Sequence, residues 1–293
     1  MFELLGVSSH ALMAQLVLGL VNGSFYAVLS LGLALIFGML HIINFAHGAF
    51  YMLGGFATWL LMQWLGVNYW LALILAPLMV GAIGIALERT FISKLYSLNH
   101  LFGLLFTFGL ALFIEGVMHE VFGGISKPYS VPAALQGALN LGFMFLPTYR
   151  GWVIVFSVVV CLITWFVVEK TKLGAYLRAA TENPALVQQF GINVPLLITL
   201  TYGAGVGLAA LSGVLAAPLY QVNPHMGVNL MITVFAVVVI GGMGSLGGAI
   251  ITGFMLGIIE GLTKVFYPPA SNLVIFVVMA IVLVARPNGL FGK

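Results

Sequence analysis

The chain has 293 residues, with only ten Lys or Arg, seven Glu and no Asp, where a soluble protein of this length would carry about 70 charged residues. At 62% hydrophobic residues and a mean hydropathy of +1.17, it has too little polar surface for a soluble enzyme, a nucleic-acid binder or a disordered protein. The lone Cys161 excludes a disulfide scaffold, and a net charge of +3 is too small to call for a polyanionic partner.

What remains is a protein that crosses a bilayer several times. The signal is long unbroken apolar runs, not the strict alternation of a membrane β-barrel, so the runs are read as helices of about 20 residues. In chain order they are Ala11 to Leu40, Ala46 to Leu65, Trp70 to Leu87, Leu101 to Phe122, Trp152 to Val168 and Leu196 to Pro218. A double stretch follows, Val228 to Ile240 and Ala249 to Val265, and the last run is Leu273 to Ala285. The expected fold is an all-α integral membrane protein of about eight transmembrane helices in one domain, 1–293. Discontinuous or re-entrant segments are expected near 41–48 and 241–248. Met1 to His10 has no basic stretch and does not read as a cleaved signal peptide.

The scarce charges orient the runs. Arg89 and Lys94, then Lys170, Lys172 and Arg178, then Arg286 and Lys293 fall in three places that a consistent alternation puts on one side. Basic residues collect on the cytoplasmic side. The C-terminus is therefore expected inside, and the N-terminus outside if the first run crosses once. Two connections are long. Residues 123–149, with three prolines, form an external loop, and residues 169–194 an internal one. The inner loop alternates apolar Leu177, Ala180, Leu186, Val187 and Phe190 with polar Arg178, Glu182, Gln188 and Gln189. That pattern predicts short helices along the membrane surface. Asn183-Pro184 breaks them and Gly191 ends the second.

Three motifs carry a resemblance. Asn22-Gly-Ser-Phe-Tyr-Ala27 is followed by Gly38-Met-Leu-His-Ile-Ile-Asn-Phe-Ala-His-Gly-Ala-Phe-Tyr-Met52. The inner loop holds Thr171, Gly174, Arg178-Ala179, Asn183, Ala185 and Gly191-Ile-Asn193. Late in the chain comes Gly241-Gly-Met-Gly-Ser-Leu-Gly-Gly248. In this order, over nearly the whole length, they resemble the membrane subunit of branched-chain (hydrophobic) amino-acid ABC importers, the LivH type. The resemblance implies an ATP-driven permease of the bacterial inner membrane, working by alternating access. It implies a second related permease subunit, two cytoplasmic ATPase subunits and a periplasmic solute-binding protein as partners. It also makes 169–194 the loop that couples to the ATPase, with Gly174, Arg178, Ala179, Glu182, Asn183, Ala185 and Gly191 as candidates. ABC permeases of other families carry an "EAA…G" loop with a shorter interval to the glycine than Ala180 to Gly191. The coupling role is therefore carried over for the loop as a whole. The chain has no G-x-x-x-x-G-K-[ST], so ATP and Mg are expected in the partner ATPase and no cofactor in this chain.

Physical chemistry gives the breaks two readings. Non-helical backbone inside a bilayer survives where protein buries it or water reaches it, and transporters place it beside substrate paths. On one reading Asn22, Asn44, His47, Gly48, Gly241, Gly242 and Gly244 line or gate the path. On the other the breaks are buried polar turns, and the glycines at spacings of four are helix-packing faces. Glu115 with His119, and Glu260 with Lys264, sit at i and i+4 near outer helix ends and are read as interfacial pairs. Glu88-Arg89 reads as a cytoplasmic boundary and His225 as an ordinary segment end. No His, Cys and carboxylate set has metal-ligand spacing. Alternatives to an amino-acid importer are a urea, amide or aromatic-acid ABC permease, an ATP-independent channel and an ion-coupled carrier. The ion-coupled carrier would need a midplane carboxylate.

Overall fold

Hydrocarbon offers no hydrogen-bond partner to a peptide group, so each apolar run closes its own backbone bonds as a helix. The computed structural model describes residues 8–40, 43–96 and 98–292. Residues 1–7, His41, Ile42, Ser97 and Lys293 lie outside the described residues. With them go the N-terminal segment, the first residues of the expected break at 41–48 and the last basic residue.

Among the described residues the helices run α1 (Ser9–Leu40), α2 (His47–Leu65), α3 (Tyr69–Thr90), α4 (His100–Phe122), α5 (Thr148–Lys170), α6 (Lys172–Glu182), α7 (Pro184–Gln189), α8 (Val194–Tyr220), α9 (Met226–Gly241), α10 (Leu246–Phe266) and α11 (Val274–Ala285). Six of them, α1, α3, α4, α5, α8 and α10, are long and apolar enough to cross a membrane, and α9 and α11 are shorter apolar helices. The fold is all-α and integral to the membrane, as the apolar runs predict. Helix geometry is lost at 43–46 and again at 242–245. The chain forms two compact units. One comprises residues 1–30, 131–161 and 233–293, the other residues 31–130 and 162–232.

In the first unit, α1 and α10 run antiparallel with their backbones in contact. A Cβ on Gly261 would strike Gln15, one on Gly257 would strike Gly19 and Gly23, and one on Gly253 would strike Ala27. The spacing of four on both helices keeps a side-chain-free face turned to the partner, which is how helices approach closely without a hydrophobic drive. The connection between α4 and α5 adds a short antiparallel hairpin, β1 (Ala138–Asn140) on β2 (Phe145–Pro147). Its turn is made by Gly142 at φ +83, a left-handed value that a side chain resists.

In the second unit, α8 packs against both α2 and α3. Gly54 meets the backbone of Ala210, Gly213 meets that of Tyr51, and Gly81 lies against Gly203. The α3 and α4 helices each start at an Asn cap, Asn68 accepting from the Leu71 amide and Asn99 from that of Leu101. The outward flank of α4 stays apolar: Leu101, Leu105, Phe113 and Val121 are exposed. Exposed apolar faces of this kind suit contact with lipid or another membrane helix.

Candidate functional site

The break before α2 is held by side chains. Asn44 is buried and accepts from the Ala46 amide through Oδ1 at 3.1 Å, while its Nδ2 donates to the Tyr202 hydroxyl at 2.9 Å. The Phe45 amide donates to Thr107 Oγ1 at 3.2 Å, and that hydroxyl lies 3.2 Å from the Ile43 carbonyl. Thus Thr107 of α4 and the Asn44 side chain supply hydrogen bonds that the non-helical backbone forgoes, as an unpaired peptide group in an apolar medium demands, and Tyr202 of α8 holds the Asn44 side chain in place. His47 is fully buried and opens α2, next to Gly48. A Cβ on Gly48 would press on the Gly227 carbonyl of α9, and one on Gly227 would overlap Gly48 in turn. Asn44, His47 and Gly48 therefore sit at one packed junction of α2, α4, α8 and α9. The seam between Gly48 and Gly227 borders a cavity of about 270 Å³, walled by Phe45, Ala49, Met52, Phe108 and Met231, with Glu115 at its edge.

The glycine turn belongs to the other unit. Gly242 and Gly244 take φ of +99 and +87, and Ser245 caps α10 by accepting from the Gly248 amide at 3.1 Å. The C-terminal segment closes the end of α9: the Leu290 amide donates to the Ile240 carbonyl at 2.8 Å and that of Phe291 to Gly241 at 3.2 Å. Gly241 and Gly242 are buried in this contact and Gly244 is exposed. Asn22, half-buried, donates to Glu260 Oε1 at 3.4 Å. Tyr26 donates to Glu260 Oε2 at 2.7 Å and Lys264 pairs with Oε1 at 2.5 Å. The Glu260–Lys264 pairing read from the spacing is present.

Residues 169–194 form the two short helices expected of them, α6 and α7. Pro184 starts α7 behind the Asn183 cap, whose Oδ1 accepts from the Leu186 amide, and Gly191 follows at φ +79. Gly174, Leu177 and Ala180 turn inward at spacings of three. Ala180, Val187 and Val194 share one apolar cluster that joins α6, α7 and the start of α8. Gly174 is buried because a Cβ there would overlap the Val168 carbonyl. Arg178 reaches back to that carbonyl at 2.9 Å and to Glu169 at 3.4 Å, tying α6 to the end of α5. A cation there also suits the negative C-terminal end of a helix. Ala179, Glu182, Asn183, Ala185 and Gly191 face outward, among exposed Leu173, Tyr176, Leu186 and Phe190, the last 77% exposed.

The family described as "Branched-chain amino acid transport system / permease component" matches residues 15–283. The chain belongs to that permease family. It is 30% identical to the "High-affinity branched-chain amino acid transport system permease protein BraD" of Pseudomonas aeruginosa, over 95% of each chain. It is 28% identical to the LivH protein of the same description from Escherichia coli, again over 95% of each. A solved structure titled PsaBC from Streptococcus pneumoniae in complex with Fab is similar at a TM-score of 0.46 and 14% identity, over 90% of this chain and 87% of that one.

Two polar groups of this permease depart from the expectations of the sequence. Glu88 is more than a boundary residue. It is 2% exposed, and its oxygens accept from Tyr96 at 2.7 Å and Thr199 at 2.6 Å. Burial and this bond push the Tyr96 phenol above its usual range, so it stays a neutral donor. The group borders a cleft of about 580 Å³ that Pro184, Gln188 and Asn193 complete. Glu115 pairs with His225, at 2.6 Å, and not with His119, whose ring sits 5.6 Å from that of His225. Sequence spacing signals neither the Glu88–Thr199 nor the Glu115–His225 bond, because those partners are 111 and 110 residues apart.

Proposed function

We propose that the chain is the membrane-spanning subunit of an ATP-driven importer of branched-chain or other small hydrophobic amino acids in the bacterial inner membrane. The family supports the permease role. The relatives' descriptions support the substrate class. The observation that carries the coupling is the α6–α7 surface, where an outward apolar set (Leu173, Tyr176, Leu186, Phe190) is backed by a core continuous with α8. Exposed apolar side chains on a water-facing loop mark a protein contact. A force on α6 and α7 reaches α8 through Ala180, Val187 and Val194, and α8 carries Tyr202, the partner of Asn44. Binding of ATP to a separate ATPase pair would shift the loop and, through α8, the break at 43–48. Alternating access requires such a two-state element.

On this reading residues 169–194 face the cytoplasm, 123–149 face the periplasm and receive the solute-binding protein, and a second related permease completes the pathway. The C-terminus is inside and the N-terminus outside. Asn22, Asn44, His47, Gly48, Gly241, Gly242 and Gly244 are the candidate path and gate residues. The ATPase hydrolyses; this chain translocates. The test is co-purification of the ATPase subunits with the permease from membranes. The wild type is expected to retain them and Phe190→Asp to lose them at least tenfold while staying folded by thermal unfolding. Equal retention by both would contradict the docking role.

A further inference from the structure

Several of the permease's buried polar groups brace its breaks or tether its helices. The 270 Å³ cavity between α2, α4 and α9 is different. Its walls are apolar: Phe45, Met52, Phe108, Leu112 and Met231 among them. Into this lining comes one ionisable side chain, Glu115, whose side chain is 18% exposed. A carboxylate beside an apolar wall in a membrane helix is costly to keep and needs a cationic or donor partner. His225 supplies one, at Oε1. A carboxylate accepts about four hydrogen bonds, so the pairing leaves capacity at Oε2 for a second donor.

We propose that this cavity is a solute subsite of the permease, taking a zwitterionic aliphatic amino acid with its α-ammonium on Glu115 and its side chain among Phe45, Met52, Phe108 and Met231. This rests on the amino-acid importer reading given above. The volume is just under the usual range for drug-sized ligands, which begins at about 300 Å³, and fits a ligand of a few heavy atoms. The solute carboxylate has donors on the same rim. Gly227 and Val228 line the cavity in the first turn of α9, where backbone amides have no acceptor within the helix. The cavity touches the Asn44–Gly48 break through Phe45 and Gly48, so a shift of that junction reshapes the subsite. A site of this kind recognises the amino acid by one charge and by size, and leaves finer selection to a partner.

The test uses the complete transporter, with both permeases, the ATPases and the solute-binding protein, in proteoliposomes. Radiolabelled leucine and alanine uptake is measured together with binding-protein-stimulated ATP hydrolysis. Glu115→Gln is expected to lower leucine moved per ATP hydrolysed by about 10- to 100-fold, the loss of one hydrogen bond to a charged group, with stimulated hydrolysis intact. Ala111→Phe, which fills the cavity, is expected to reduce leucine uptake at least fivefold more than alanine uptake; a merely structural defect would lower both alike. Loss of stimulated hydrolysis in Glu115→Gln would overturn the proposal in favour of binding-protein docking. Normal leucine uptake by both variants would overturn it in favour of a lipid-filled cavity, which has no need of Glu115. If the wild-type assembly carries no amino acid, the importer reading itself fails, which is a separate result.

Discussion

Removing one hydroxyl from the Glu88 cluster should measurably destabilise the contact between α3 and α8. Glu88 lies two residues from the end of α3, where a helix presents its negative pole, so an anion there gains nothing from its own helix. Its stability comes from two short donors, Thr199 and Tyr96. Thr199→Val keeps the shape and deletes one of them. A hydrogen bond to a charged group contributes about 1.5–3 kcal/mol, and a carboxylate left short of a donor in a buried place costs at the upper end. Taking the lower end of that range gives about 1.5 kcal/mol. For a chain of this size that corresponds to roughly 3–6 °C in the unfolding midpoint. Tyr96→Phe should cost a similar amount. The assay is thermal unfolding of the purified permease in mild detergent, for wild type, Thr199→Val, Glu88→Gln and the double variant. If the Thr199 hydroxyl acts through Glu88, the cost of Thr199→Val should fall by at least half in the Glu88→Gln background. An unchanged cost, or a single-variant effect below about 0.5 kcal/mol, would refute the reasoning.

Three further outcomes follow from the same geometry. Gly257→Leu should separate α1 from α10, since any Cβ there strikes the Gly19 and Gly23 backbones; overpacking of this kind costs about 1–3 kcal/mol or more, and an unchanged unfolding midpoint would contradict the contact. Asn44→Ala removes the donor to Tyr202 and the acceptor for the Ala46 amide, with an expected loss of about 1–3 kcal/mol; Tyr202→Phe should cost less, because it removes one of the two bonds. In the connection between α4 and α5, burial raises the Tyr129 phenol from 10.0 to about 12. The folded state thus holds that proton more tightly than the unfolded one. Its contribution is complete below pH 10 and is lost as pH rises towards 12; ultraviolet titration at 295 nm should show the delayed ionisation, and a normal titration would contradict the burial.

The sequence makes local structure legible wherever the cause is local. The run Ala46 to Leu65 becomes a helix at His47–Leu65, and Leu196 to Pro218 becomes Val194–Tyr220. The 169–194 connection breaks at Asn183 and stops at Gly191, because an Asn cap, a Pro at the first helical position and a left-handed Gly act within a few residues. The small-residue spacing of four likewise marks packing faces on α1 and α10, and the fold shows that they meet each other. The polar chemistry is less legible. The partner of Glu115 is His225, far along the chain, and the i+4 spacing to His119 points to the wrong histidine. Glu88 next to Arg89 looks like ordinary boundary charge, and only the fold brings Thr199 to it. The hairpin at 138–147 hides in a loop because three-residue strands carry too little alternation to register.

The central claim is that this chain conducts small hydrophobic amino acids under the control of a separate ATPase. The direct measurement is uptake of radiolabelled leucine, isoleucine and valine by proteoliposomes holding the purified complex, with ATP supplied to the ATPase side. Uptake that requires ATP, the binding protein and this chain together is the predicted result. Uptake that persists without ATP, or an assembly that moves none of the three amino acids, would contradict it.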